Sequence, residues 1–144
     1  MVICKQHLTN LEICDITQYL YGSDRLYGDI SVFANCSKLN TINLTNLPKI
    51  YGDVKVFEFI SNKNWYLISL YGTSISGNLS SFKDISVSYY FGVVHYTQVT
   101  GDISNLSNMK NVSRLALMYN SNITGDISIF KTFTNLRELA VNNT

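Results

Sequence analysis

The sequence predicts a repeat solenoid with a parallel β-sheet on its concave side. Short second strands and 3₁₀ or irregular turns are expected on the convex side. Three observations predict it. Five glycines (Gly28, Gly52, Gly77, Gly101 and Gly125) follow one another at intervals of 24, 25, 24 and 24 residues. The words around them repeat, with GDIS at Gly28, Gly101 and Gly125, GDVK at Gly52 and GNLS at Gly77. Apolar residues keep the same register: Leu26, Ile50, Ile75, Val99 and Ile123 stand two places before each glycine, and Ile30, Val54, Leu79, Ile103 and Ile127 two places after it. Such a period marks stacked supersecondary units, none of which can bury its apolar face alone.

Each coil opens on a period-two pair: Ile42/Leu44, Ile68/Leu70, Phe91/Val93 and Leu115/Leu117. Alternation of this kind gives a short strand with one face inward. Three places upstream stands a further apolar residue, Leu39, Trp65 or Val112, with Ser88 interrupting the column. Leu11-x-x-Cys14-x-Ile16 and Leu136-x-x-Leu139-x-Val141 read as the outermost copies. A chain that returns beside itself every two dozen residues pairs these strands in parallel, about 4.8 Å apart. The repeated glycine then permits a tight turn or a positive φ. Beyond it, Phe33, Phe57, Phe82 and Phe130 are expected to stack under short turns, and Cys14 and Cys36 to serve as small buried hydrophobes. Extra residues fall in polar stretches, between Ile16 and Leu26 and around Ser61–Asn64.

L-x-x-L-x-L followed by G-x-I at a 24-residue period resembles the leucine-rich repeat, nearest to its plant-type subclass, with GDIS-type copies similar to those of bacterial and phage repeat proteins. GDIS stands where that subclass has G-x-I-P. Its asparagine position is mixed here: Leu47, Thr73, Tyr96, Asn120 and Thr144. The resemblance implies one solenoid over residues 1–144, about five full repeats and a partial last one. It also implies that the D-I-S stretch forms the second strand.

Composition narrows the function. A net charge of +1 supplies no field for nucleic acid, and no apolar run reaches the ~20 residues needed to cross a bilayer. The opening MVICKQHLTN has no apolar stretch of the kind a secretory signal carries. Three cysteines (Cys4, Cys14, Cys36) and two distant histidines (His7, His95) form neither a disulfide framework nor a zinc motif. No nucleophile–base motif appears, so neither an enzyme nor a cofactor nor a metal is expected.

Two columns remain. Outward residues of the concave strands include Tyr71, Tyr90, Val94, Arg114 and Met118, with His95 and Tyr119 in the loops that follow. Aromatics and methionine with few charges suit a protein-binding face. The second column, Asp29, Asp53, Asn78, Asp102 and Asp126, follows the turn glycines; side-chain bonds to local backbone N–H groups account for it. A structural subunit stacking end to end is the alternative to a module that binds a protein ligand.

Overall fold

Eleven short strands form two parallel sheets in the computed structural model, which describes residues 8–16, 25–93, 95 and 97–142. The concave sheet has six: β1 (Ile13–Asp15), β3 (Thr41–Asn43), β5 (Asn64–Ser69), β7 (Ser86–Gly92), β9 (Arg114–Ala116) and β11 (Glu138–Ala140), in that spatial order. The convex sheet has five: β2 (Gly28–Asp29), β4 (Ile50–Asp53), β6 (Ser74–Asn78), β8 (Gln98–Asp102) and β10 (Ile123–Thr124). Sequential strands of one sheet alternate with those of the other, so each coil contributes one strand to each. The inward pair sits in register: Cys14, Ile42, Ile68, Phe91, Leu115 and Leu139 lie side by side across the concave sheet.

The second strands lie one step earlier than the D-I-S stretch. They run through the I-x-G-D segment, and I-S-x-F closes into 3₁₀ turns at Ile30–Phe33, Leu79–Phe82, Ile103–Leu106 and Ile127–Thr132. The Asp explains the shift. Its Oδ1 accepts the backbone N–H two residues on, at 2.7 Å for Asp29 and Asp53 and 2.8 Å for Asp102 and Asp126; Asn78 does the same at 2.9 Å. A side chain that caps the next turn ends the strand at itself. In the second coil the turn is a single α-helical one, Val56–Phe59, whose Phe57 and Glu58 carbonyls accept from Lys63 Nζ.

The glycine before each Asp has a reason beyond its own turn. Gly52, Gly77, Gly101 and Gly125 have φ between +114° and +126°, a region that favours glycine. A Cβ at Gly52 would also stand 2.6 Å from Asp29 Oδ1 of the preceding coil, and one at Gly101 2.7 Å from Asn78 Oδ1. Each capping side chain therefore lies over the next coil's glycine, which couples the two letters of every G-D word along the stack.

The core fills the space between the sheets. Phe57, Phe82 and Phe91 are fully buried, and the Phe82 ring stands 5.0 Å from each of the other two. Each such side chain contributes roughly 1.5–3 kcal/mol by leaving water. At the last coil the stack thins and Phe130 is only partly covered. Cys36 is fully buried, whereas Cys14 is half-buried at the first strand. Burial, with smaller contributions from Cys36 and Asp15, pushes the Cys14 thiol up to about 11. Ser88 does not break the upstream column after all. A bulge between β5 and β7 shifts the register by one residue, Trp65 pairs with Val87, and Val87 is fully buried while Ser88 is exposed. Where the loop turns polar inside, Thr73 donates to the Leu70 carbonyl at 2.8 Å, Thr97 donates to Asn120 Oδ1 at 2.6 Å, and Asn120 Nδ2 donates to the carbonyls of Val93, Leu117 and Met118.

Candidate binding face

Three rows of side chains project from the concave sheet. The first follows the register Thr41, Leu67, Tyr90, Arg114, Glu138, and the second follows Asn43, Ser69, Gly92, Ala116, Ala140. The third begins where the strands leave the sheet, with Thr45, Tyr71 and Met118. Side chains in the second row shrink along the stack, from Asn to Gly and Ala, so this row is a floor and its neighbours are walls.

Gly92 lies in the floor with no positive φ to account for it. Its neighbour Tyr90 supplies the reason. A Cβ at residue 92 would strike the Tyr90 ring and hydroxyl, so the ring lies flat over the glycine. Burial raises the Tyr90 phenol above its ordinary value, against smaller opposing effects of Arg114 and Ser69 on the adjacent strands. Ser69 Oγ is 2.9 Å from Thr45 Oγ1, and Thr45 Oγ1 donates to Asn43 Oδ1 at 2.7 Å. These residues, with Leu67, Tyr71, Tyr89 and Arg114, line a shallow hollow of about 380 Å³.

Arg114 and Glu138 stand side by side in the first row and neutralise each other. Arg114 Nε and Nη2 donate to the two Glu138 carboxylate oxygens at 2.8 and 2.7 Å. That pair holds the Glu138 carboxyl below its ordinary value and the guanidinium above its own. Arg114 Nη1 also reaches the Tyr89 hydroxyl at 3.4 Å. Tyr89 stacks on Tyr66 with ring centroids 5.1 Å apart and planes within 9°. The sequence reading did not single out this Tyr pair. Its signal was present, since both residues stand two places before the first inward residue of their strand.

The opposite rim is aromatic as well. His95 stacks on Tyr119 with centroids 4.0 Å apart, and Tyr71 meets His95 edge-on at 5.1 Å. Both stacked residues have positive φ, +46° for His95 and +61° for Tyr119. They share a column with Asn46 (φ +61°) and Gly72 (φ +68°), each two places after the second inward residue of its coil. Gly, Asn and His adopt that conformation more readily than most residues, whereas Tyr119 does so at a cost. A ladder of backbone bonds enforces it: the N–H groups of Asn46, Gly72, His95 and Tyr119 donate to the carbonyls of Tyr71, His95, Met118 and Asn142 at 2.9–3.3 Å.

The structure thus brings Tyr71, His95 and Tyr119 together on one rim and sets Tyr90 and Arg114 in the hollow beside Tyr71. Met118 is half-buried between its neighbours Leu117 and Tyr119. Val94 and His7 lie outside the described residues. Among those described, no group of three or more His, Cys, Asp or Glu could hold a metal ion, and no helix is long and apolar enough to cross a membrane.

Two parallel sheets joined by 3₁₀ turns at a 24-residue period define a leucine-rich-repeat solenoid. Solved structures agree on the fold. The chain is similar to the leucine-rich-repeat ectodomain of the receptor kinase SOBIR1 from Arabidopsis thaliana, at TM-score 0.57 and 20% identity, over 90% of this chain and 71% of that one. It is also similar to the plant peptide hormone receptor RGFR1, solved in complex with RGF2, at TM-score 0.56 and 18% identity, over 81% of this chain but only 19% of that one. No protein-family model matches the sequence, and no curated protein does.

Proposed function

We propose that this chain is a non-catalytic interaction module that holds a protein ligand on the concave face of one solenoid, its repeats of the plant-type subclass. The strained aromatic rim carries the reading. Tyr119 keeps a bulky ring in a left-handed conformation that Gly72 satisfies without strain and that Asn46 and His95 tolerate better, a cost of about 1–3 kcal/mol. Folding alone gives no return for that cost beyond one stacked pair. A ligand-facing rim does, because preset aromatic rings contribute contact area with little loss of freedom on binding. The Tyr66–Tyr89 stack forms the facing wall, and the floor between them is small and uncharged. The RGFR1 complex shows a similar fold holding a ligand.

Selection of linear peptides from a random phage-displayed library, followed by titration of the winners, tests this. Tyr71→Ala with Met118→Ala is expected to weaken them about tenfold or more. Peptides that bind the double variant as tightly as the parent chain refute the concave reading.

A second reading has one observation in its favour. Ile127 (70% exposed) and Leu139 (42%) face outward at one end of the stack, and Ile13 (62%) does so at the other. End-to-end stacking would cover them. Light scattering that reports a monomer across a concentration series removes it.

A further inference from the structure

The bulge that buries Val87 also aligns its neighbours. Trp65, Val87, Val112 and Leu136 form the upstream apolar column, and Asn64 pairs with Ser86 just ahead of it. Asn64, Ser86, Asn111 and Asn135 therefore stand in one line before that column, and Tyr66, Ser88, Ser113 and Arg137 in a second line after it. The two lines border two hollows of about 410 and 400 Å³, which share Ser88 and Asn111 and so run on as one groove along the stack. No carboxylate lines either hollow. The polar groups of this groove are unspent. Elsewhere amides serve the fold: Asn62, Asn105, Asn108 and Asn120 donate to main-chain carbonyls. Along the groove, the side chains of Asn64, Ser86, Asn111, Ser113, Asn135 and Arg137 make no hydrogen bond or ion pair among the described residues. Arg137 is left so by its neighbour. Glu138 gives both carboxylate oxygens to Arg114, and the guanidinium one residue earlier keeps five donors and no counter-ion among the described residues.

We propose that this groove binds an acidic oligosaccharide lying along the stack. Amide and hydroxyl side chains each offer a donor and an acceptor, which is what each sugar hydroxyl requires. A bare anion only accepts and would leave half of those groups unmatched. Successive coils lie about 4.8 Å apart, close to the length of one pyranose unit, so successive sugar rings meet successive coils. Tyr66 supplies the apolar contact. One face of its ring is covered by Tyr89, yet the residue is 53% exposed and lines the groove, so its other face is open to the C–H face of a sugar ring. Arg137 supplies the charge preference. A planar guanidinium takes a carboxylate in two parallel bonds, so a uronic acid belongs at that end. The groove shares Tyr66 with the wall of the concave face and none of its floor, so this inference stands or falls apart from the protein-ligand reading.

Titration calorimetry with tetrameric uronic-acid oligosaccharides of several linkages, each beside its carboxyl-reduced neutral counterpart, tests it. At least one acidic tetramer should bind, about tenfold or more tighter than its reduced form. Arg137→Gln should erase that difference and leave the reduced form as it was. Tyr66→Ala and Asn111→Ala should each weaken both forms about two- to tenfold. All three residues are exposed, so urea midpoints close to the parent's separate lost contacts from a lost fold. No binding by any tetramer overturns the proposal. An acidic tetramer that binds Tyr66→Ala and Asn111→Ala as tightly as the parent overturns it too, since charge alone would then hold the sugar. So does a reduced form that binds as tightly as its acid.

Discussion

Replacing Gly101 by Ala tests how the coils lock together. Two separate costs are expected. At φ +114° the backbone suits glycine, and a Cβ there is strained by about 1–3 kcal/mol. The added carbon also collides with the preceding coil, at 2.7 Å from Asn78 Oδ1, 2.9 Å from Nδ2 and 3.0 Å from Cγ. Forcing a side chain into filled space costs about 1–3 kcal/mol more. All three contacts belong to one side chain, so the two costs can be separated. Asn78→Ala alone loses the 2.9 Å cap on Ser80 N–H, worth about 1 kcal/mol. In the double variant that loss and the backbone strain remain, but the collision is gone. Urea unfolding of the parent, both single variants and the double variant should therefore give a total smaller than the sum of the singles by the collision term, about 1–3 kcal/mol. Strict additivity would refute the reading that each glycine makes room for the capping side chain below it. A Gly101→Ala cost under about 0.5 kcal/mol would refute the strain as well.

Three further outcomes follow from the same geometry. Asp102 and Asp126 hold their carboxyls below the ordinary value because each accepts a backbone N–H, from Ser104 and Ser128; their stabilisation is whole above about pH 4 and is lost as pH falls through the folded values. Asp102→Asn with Asp126→Asn should flatten that acid loss, read as a smaller shift of the urea midpoint between pH 5 and pH 2.5. Val87→Ala should cost about 2 kcal/mol in urea unfolding and Ser88→Ala under about 0.5, which distinguishes the bulged register from the unbroken one. Tyr119→Gly removes a whole aromatic ring, yet relief of the positive φ offsets the lost His95 stack, so the urea-derived stability should change by under about 1 kcal/mol while peptide affinity falls.

The stack itself was legible because one constraint is written several times over. The inward pairs, the turn glycines and the Asp column recur at the same spacing, so an error at one copy is corrected by the others. Val87 escaped that check. A bulge adds a residue within a strand without changing the total length of the coil, and the interval between glycines cannot register it. The D-I-S segment was misplaced for another reason: a strand and a 3₁₀ turn both bury every second or third apolar residue over so short a span, and only the cap at Asp decides between them. On the concave face, Tyr71, Tyr90 and Arg114 were placed by counting outward positions. The Asn43–Thr45–Ser69 chain was not, because hydroxyl and amide residues in an Asn- and Ser-rich chain carry no contrast until their bonds are drawn.

The left-handed column separates what holds the stack together from what the concave rim presents. Four successive coils need a residue there that closes the bend after the concave strand, and the backbone ladder holds that bend in place whatever the side chain. Asn46 and Gly72 meet the need at little conformational cost. His95 and Tyr119 meet it with rings that stack at 4.0 Å and turn toward Tyr71. Where the ladder already fixes the backbone, a bulky residue adds strain without altering the fold. The concave rim can therefore vary from coil to coil while the G-D turns on the convex side stay nearly uniform. Uniform letters mark what every coil needs from its neighbour; the departures, at His95, Tyr119 and Gly92, gather on the one face where coils differ in what they present.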